Sequence, residues 1–437
     1  MTTLWPGLGG PIIDYISNPP ANLPKTRKIV VLGSTGSIGR SVLDIARQKK
    51  SALQIIGLAG GRNMREMSKQ AEEFKPGHIA MQSAEIANEL AARLSWKLQI
   101  GSGQRAYAEM AAMPEADMVV SAQSGGMGLC ATLAGVLAGK TVCLANKESL
   151  VLAGPLVREI CATSHASILP IDSEHNAIFQ CLAGRGQNIK KIIITASGGP
   201  FYKKKMEDLA KITPKDALAH PTWKMGQKIS IDSSTMMNKA LELIEAVQLF
   251  GVDKERIEIL IQPQSIVHSM VEFVDGSILA QLGMPDMRLP IAFCLLWPNA
   301  EPHDIGALDL AKVGRLEFAR PDAKVFPALS LGRQALRAPE SEGLPSACVI
   351  LNAANEICVE LFLDGRISWT EIAMYVRKAM EELGGVKLES AKLPAVLPTT
   401  PQDIAALALE MGKPIMELDH QVRNFVLKAA TQQALGK

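Results

Sequence analysis

At 437 residues the chain is too long for one ordinary hydrophobic core, and two to four domains are expected. Hydrophobic residues make up 47% and charged residues 21%, with a formal net charge of only +2, so a polycation for nucleic acid or a membrane surface is excluded and an anionic ligand must be met by local charge. The seven cysteines, at 130, 143, 161, 181, 294, 348 and 358, form no CxxC and mostly sit in apolar runs, which points to buried thiols in a reducing cytoplasm.

Residues 1–25 are rich in Pro and Gly and lack the layout of a secretory signal, so an N-terminal extension is expected there. No apolar stretch is read as long enough to span a membrane. Residues 28–32 are apolar and β-branched, and Gly33-Ser34-Thr35-Gly36-Ser37-Ile38-Gly39 follows at once, with a helix over 40–49. Strand, glycine-rich turn and helix in that order suit a dinucleotide site, because small residues let backbone N–H groups approach a pyrophosphate. A tight βα turn without ligand has the same local look.

The next strand, 54–59, ends in Gly60-Gly61-Arg62-Asn63. An NAD site usually carries Asp or Glu there; Arg62 in its place fits the 2′-phosphate of NADP, although a solvated helix-start Arg is the plainer alternative. Strands at 78–81, 97–100, 117–121 and 141–145 alternate with helices such as 130–138 and predict a parallel, doubly wound sheet. The last of these strands ends in Asn146-Lys147-Glu148, where such sheets bind ligands.

An apolar run, 168–171, then leads into Asp172-Ser173-Glu174-His175. In extended chain residues i and i+2 point the same way, so Asp172 and Glu174 are expected to converge on a divalent cation, Mg or Mn rather than Zn. A polar loop with a capping Asp is the competing reading. Residues 191–195 form a strand, and the small-residue turn around Ser197-Gly198-Gly199 could present amides and a hydroxyl to an anion. The polar stretch 201–227 holds His220 and Trp223 and looks like a lid. A helix over 235–250 is predicted, with Ser233 or Ser234 as its N-cap and Asn238, Lys239 and Glu242 on one face. That face is either a surface ion pair or a phosphate grip whose Glu242 completes the metal site.

Strands at 258–261, 266–274 and 277–282 follow, with Asp275-Gly276 marking a hairpin. A linker begins at Trp297-Pro298, and four helices are predicted after it, at 328–338, 346–362, 369–383 and 400–410. Asn352, Asn355 and Glu356 are read as contacts within the helical bundle.

Together GSTGSIG, LANKESLV, DSEHNAIFQ, SGGPF, HPTWKMG, SSTMMNKALELIEA, QPQSIVHSMVEF, QLGMPDMRLPIA and LNAANE resemble the 1-deoxy-D-xylulose 5-phosphate reductoisomerase family over residues 28–435. The resemblance implies an α/β fold: a Rossmann-like parallel-sheet domain at 26–160, an α+β catalytic and dimerisation domain with an antiparallel hairpin at 161–297, a linker at 298–322 and a C-terminal helical bundle at 323–437. It implies NADPH and a divalent cation as cofactors, with Asp172, Glu174 and Glu242 as metal ligands and Lys147 beside them in catalysis. It places Lys147, Ser173, Glu174, Ser197, His220, Ser233, Asn238, Lys239 and Glu242 against a phosphorylated sugar. It places Thr35, Gly36, Ser37, Ile38, Gly61, Arg62, Asn63, Asn146, Glu148 and Gly226 against NADPH. The implied reaction is a carbon–carbon bond shift, by retro-aldol/aldol or α-ketol steps, then reduction to 2-C-methyl-D-erythritol 4-phosphate, in a cytoplasmic homodimer without nucleic-acid or membrane partners. Thr222, Gln227, Ala131 and Ala240 depart from the family's usual Asn, Arg, Pro and Gly, and none removes a charge from the expected metal site. Two rival readings remain: another NADP-dependent oxidoreductase of a small phosphorylated or aldehyde substrate, such as an aldehyde dehydrogenase, which wants a nucleophilic Cys in a polar setting, and a non-catalytic nucleotide-sensing module, which needs no three-carboxylate cluster.

Overall fold

The computed structural model describes residues 23–182, 189–223, 225–336, 344–389 and 392–435, so most of the expected N-terminal extension lies outside the described residues. The first half of the chain builds a seven-stranded sheet. Its strands are β1 (Arg27–Leu32), β2 (Leu53–Ala59), β3 (His78–Met81), β4 (Gln99–Ser102), β5 (Met118–Ser121), β6 (Thr141–Leu144) and β7 (Ser167–Pro170), in the spatial order β4-β3-β2-β1-β5-β6-β7. Every pairing is parallel. All residues of β5, β6 and β7 are buried, as expected of a sheet with helices on both faces. The chain runs outward from β1 to β4 and then returns to β5 beside β1. The switch point therefore lies between the carboxyl ends of β1 and β5, where ligands of such sheets bind.

The expected hairpin joins a second, four-stranded sheet of β8 (Ile189–Ala196), β9 (Ile257–Ile261), β10 (Val267–Phe273) and β11 (Ile278–Leu282), ordered β11-β10-β8-β9. It is mixed: β10 is antiparallel to β8 and β11, while β9 runs parallel to β8 after a long crossover. Around the sheets lie α1 (Ser37–Gln48), α2 (Lys147–Ser164), α3 (Ser173–Leu182), α4 (Gln227–Thr235), α5 (Met237–Phe250) and α6 (Arg288–Leu296). The buried Arg27 guanidinium donates to the carbonyls of Leu295, Leu296 and Trp297 at the end of α6, and Arg288 reaches Asp44 on α1 at 3.1 Å. These bonds fix the second sheet's helices against the first sheet.

The C-terminal helices include α7 (Ser346–Leu363), α8 (Trp369–Leu383) and α9 (Pro401–Leu435). α7 packs on α8 and α9 and also touches α2 and α5, so the bundle reaches the middle of the molecule. By length and composition α7 could cross a membrane, contrary to the sequence reading, but 78% of it is buried inside the protein.

Three local expectations are corrected. The last helix continues from Pro401 to Leu435 instead of ending near 410, through Gly412 and Pro414. Met411, Ile415, Leu418, Val422 and Val426 are all buried, and this continuous apolar stripe outweighs the two local breakers. Asp172 and Glu174 do not share an extended strand end, because α3 begins at Ser173. The Asp172 carboxylate accepts from the Glu174 N–H at 3.3 Å, and the Asn176 N–H donates to its carbonyl at 2.8 Å, as at a helix start. Ser233 and Ser234 lie inside α4 and do not cap α5. The chain breaks at Met236, with φ +58, and the Thr235 hydroxyl accepts from the Met237 N–H at 3.2 Å. The hydroxyl-rich run 230–235 tolerates helix because Ser230, Ser234 and Thr235 bond back to carbonyls one turn earlier.

Candidate active site

The nucleotide end begins with the glycine turn. Gly33 sits at φ +86, and a Cβ there would meet the Ala122 carbonyl oxygen at 2.3 Å, so only glycine lets the turns after β1 and β5 approach so closely. Gly36 is the N-cap of α1, and no side chain caps the helix. Its first N–H groups and the positive end of its dipole therefore face the cavity at the switch point. Gly36, Ser37 and Ile38 line that cavity, whose volume is about 700 Å³. Gly61, Arg62 and Asn63 lie exposed at the end of β2, where Arg62 Nε donates to Gln82 Oε1 at 3.2 Å and Asn63 caps the following helix. Thr35 lies in the turn, its carbonyl held by Arg40 at 2.7 Å.

Asn146 is buried beneath the floor. Its amide donates to the carbonyls of Gln123 at 2.7 Å and Gly125 at 2.9 Å, and its oxygen caps α2 through the Ser149 N–H. This locks the turn after β5 to the turn after β6 and aims Lys147 and Glu148 into the cavity.

The centre of the cavity holds Asp172, Glu174 and Glu242, whose carboxylate oxygens lie within 4.8 Å of one another. They come from the start of α3 and from the first turns of α5, about seventy residues apart. Lys147 binds Asp172, Glu242 Oε1 at 3.0 Å and Asn238 Oδ1 at 3.0 Å. Lys239 binds Glu174 and Glu242 Oε2 at 2.6 Å. The Lys239–Glu242 pair is thus buried, with Glu242 only 1% exposed, and the surface reading of that helix face is excluded. Burial opposes charge on both lysines, yet the surrounding carboxylates raise each above the ordinary lysine range. Burial and then the nearby Glu174 raise the Glu242 carboxyl, while the two lysines pull the other way. Burial would raise Asp172 as well, but Lys147 and His175 outweigh it and hold that carboxyl well below its usual range.

A divalent cation fits this donor set. All three groups are hard oxygen donors, which suits Mg or Mn, and a dication would relieve the like-charge crowding that raises Glu242.

Sequence reasoning assigned no role to the residues behind the carboxylates. The buried His175 Nε2 donates to the Glu242 carbonyl at 2.9 Å, which leaves Nδ1 facing Asp172 at 3.1 Å and Glu245 at 3.3 Å. Burial opposes charge on the ring, but Glu245 and Asp172 outweigh it and raise it to about 9. Lys228, on the first turn of α4, binds Glu148 at 2.7 Å and Asp232 at 3.1 Å. Glu356 packs against Gly125, where a Cβ would lie 2.9 Å from its carboxylate, and Asn355 donates to Asp232 at 2.7 Å. The polar residues of LNAANE therefore reach the site's floor as well as the bundle.

The far end of the cavity is lined by Ser197, His220, Ser233, Asn238 and Lys239, with Ser173, Trp223 and Gly226 on its walls. Gly199, at φ +63, has no room for a Cβ, which would lie 2.7 Å from the Ser233 carbonyl oxygen; the Ser197 turn is therefore packed directly on α4. His220 Nδ1 accepts from the N–H groups of Thr222 and Trp223, at 3.2 and 2.9 Å, so its Nε2 carries the proton and donates to Ser197 Oγ at 2.9 Å. Burial, helped by Lys239, lowers the ring to about 4 and keeps it neutral.

A doubly wound parallel sheet whose open helix end shares one cavity with a cluster of oxygen donors that fits a divalent cation defines a nucleotide-dependent enzyme of the α/β class. Three family models match: the 1-deoxy-D-xylulose 5-phosphate reductoisomerase model over 29–154, its C-terminal domain over 168–250 and the DXP reductoisomerase C-terminal domain over 282–425. The chain is 49% identical over 358 residues to the 1-deoxy-D-xylulose 5-phosphate reductoisomerase of Oleidesulfovibrio alaskensis, covering 81% of this chain and 87% of that one. It is 46% identical over 404 residues to that of Nitratidesulfovibrio vulgaris, covering 91% and 94%. Among solved structures, a DOX-P reductoisomerase in complex with NADPH, fosmidomycin and magnesium aligns with TM-score 0.83 at 40% identity, covering 93% of this chain and 99% of that one. The Zymomonas mobilis enzyme in complex with NADPH aligns with TM-score 0.80 at 38% identity, with the same coverage. The chain belongs to the 1-deoxy-D-xylulose 5-phosphate reductoisomerase family.

Proposed function

We infer that this chain rearranges 1-deoxy-D-xylulose 5-phosphate and reduces the product to 2-C-methyl-D-erythritol 4-phosphate, using NADPH and a divalent cation, in the non-mevalonate route to isoprenoids. The observation that carries this reading is that one cavity joins the open end of α1, the three carboxylates and the Ser197–Lys239 cluster. A redox step, a carbonyl step and an anionic handle then share one enclosed space.

The site assignments follow from the chemistry of each group. Asp172, Glu174 and Glu242 hold the cation, which when bound polarises carbonyl and hydroxyl oxygens and stabilises developing oxyanion charge. NADPH, when bound, supplies hydride to the rearranged aldehyde. Thr35, Gly36, Ser37 and Ile38 cradle its pyrophosphate, and Gly61, Arg62 and Asn63 take the adenosine end, with Arg62 on the 2′-phosphate. Asn146, Glu148 and Gly226 form the nicotinamide side. Lys147 keeps Asp172 and Glu242 in register, and one of its N–H groups faces the reacting oxygens as donor or proton source. Ser197, His220, Ser233, Asn238 and Lys239 grip the substrate phosphate, and Ser173 lies beside the reacting end. The stretch that contains His220 and Trp223 closes over the substrate and excludes water.

No cysteine suits the aldehyde-dehydrogenase alternative. All seven are buried, and burial raises Cys130 to about 11 and Cys161 to about 12, far from a thiolate nucleophile. We also propose the division into domains at 26–160, 161–297 and 323–437, a cytoplasmic setting and a homodimer. The edge strand β11, with Ile278 51% exposed, supplies an apolar element for the dimer.

Product analysis tests the reading. Incubation with 1-deoxy-D-xylulose 5-phosphate and NADPH is expected to give the branched tetritol phosphate. An unrearranged pentitol phosphate would show reduction without the bond shift and would overturn it.

A further inference from the structure

Lys228 belongs to none of the residues assigned to metal, substrate or nucleotide, yet it lines the cavity they share. It stands on the first turn of α4, two residues after Gly226, where the lid segment ends. It lines the cavity, with its side chain 27% exposed. Its ammonium bonds Glu148 Oε1 at 2.7 Å and Asp232 Oδ2 at 3.1 Å, and both acids are nearly buried. The other Asp232 oxygen accepts from Asn355 on α7 at 2.7 Å. A chain of polar contacts therefore runs from the C-terminal bundle through Asp232 and Lys228 to Glu148 at the β6 turn. Asp232, held by Asn355, anchors the ammonium from behind, and Glu148 is its partner on the nucleotide side of the cavity.

We propose that Lys228 is a positioning residue for the nucleotide: it orients the Glu148 carboxylate toward the cavity and ties the lid's end at Gly226 to the nicotinamide side. The inference rests on the assignment of Glu148 and Gly226 to NADPH. Without the ammonium, Glu148 would keep the 3.3 Å bond from the Asn146 amide, a backbone hydrogen bond and the weaker pull of Lys147, and would be a poorly compensated, nearly buried charge. Burial alone would raise its carboxyl; Lys228, with a backbone hydrogen bond and Lys147 behind it, turns the balance and holds it below the ordinary range. The lid's end would lose its tie to α2 at the same time.

The test is NADPH affinity of the purified full chain, read by nucleotide fluorescence without sugar substrate, with steady-state kinetics alongside. Lys228→Met and Glu148→Gln should each weaken NADPH by about tenfold, and the double variant should be no weaker than either alone, since the two act as one unit. Lys228→Arg should restore affinity to within about threefold, because it keeps the charge. The KM for NADPH should rise more than kcat falls. If Lys228→Met fails to fold, the double variant, which removes charge from both partners, is compared with Glu148→Gln for the same non-additivity. Wild-type affinity in Lys228→Met, or losses that multiply in the double variant, would overturn the proposal. Wild-type protein that binds no NADPH would overturn the functional reading itself, which separates the two failures.

Discussion

Glu242 carries the most concentrated demand on any single side chain. It is buried, receives Lys147, Lys239 and Asn238, and lies close enough to Asp172 and Glu174 to share a cation. Glu242→Gln keeps the shape but removes the charge and turns one of the two accepting oxygens into a donor, so turnover should fall by about a hundredfold or more while NADPH binding stays near wild type. Near-normal turnover at saturating Mg would remove Glu242 from the metal site. Arg62 tests the other end. A charge-assisted bond to the 2′-phosphate is worth roughly 1.5–3 kcal/mol, so Arg62→Ala should weaken NADPH by that much and leave NADH almost unchanged. Equal losses for both nucleotides would assign Arg62 to its bond with Gln82 instead. His220 makes a pH prediction. Its folded value of about 4 lies below the ordinary 6.5, so the unfolded chain takes up the proton first as pH falls. The stability it contributes is complete above 6.5 and is lost as pH falls from 6.5 toward about 4. An NMR titration of its ring should have its midpoint near 4; a midpoint at 6.5 or above would deny the neutral ring hydrogen-bonded to Ser197. The convergence of the three carboxylates was legible in the sequence, because Asp and Glu at those spacings have distinctive chemistry. Lys228, His175 and Glu245 were not, because only tertiary contact tells a buried Lys or Glu from a solvated one.

At the scale of elements, strands and the glycine turn were legible because β-branched runs bounded by small residues leave few alternatives. The misses fall where local and tertiary signals conflict. The hydroxyl run of α4 reads as a cap, and Pro414 reads as a stop, until the back-bonded hydroxyls and the buried stripe of α9 are seen. The lid is the element with a function to test. Residues 201–223 carry little regular structure beyond two short helices, and Trp223 reaches His268 with ring centroids 6.3 Å apart. Limited proteolysis should cut within 203–223 in the free enzyme and be suppressed by NADPH with a substrate analogue. Trp223→Ala should lower turnover by about tenfold and leave NADPH affinity of the free enzyme near wild type. Cleavage that is indifferent to ligand would mean that the segment is not a lid.

The whole molecule brings together three surfaces that are remote in sequence: the carboxyl ends of the parallel sheet, the start of α5 beside the mixed sheet, and the inward polar face of α7. The parallel sheet was predicted from alternating strands and helices, but the mixed character of the second sheet was not, since the β8–β9 crossover spans α4, α5 and the segment 201–223. The third surface shows why the bundle's Asn355 and Glu356 are polar: they close the floor beneath Gly125 and Asp232. Metal-dependent NADPH oxidation by the intact chain tests this arrangement most directly. With 1-deoxy-D-xylulose 5-phosphate and Mg, oxidation should be rapid; it should stop on chelation, return with Mg or Mn, and be absent without the sugar phosphate. Oxidation that continues at the same rate in excess chelator would contradict a reaction centred on Asp172, Glu174 and Glu242.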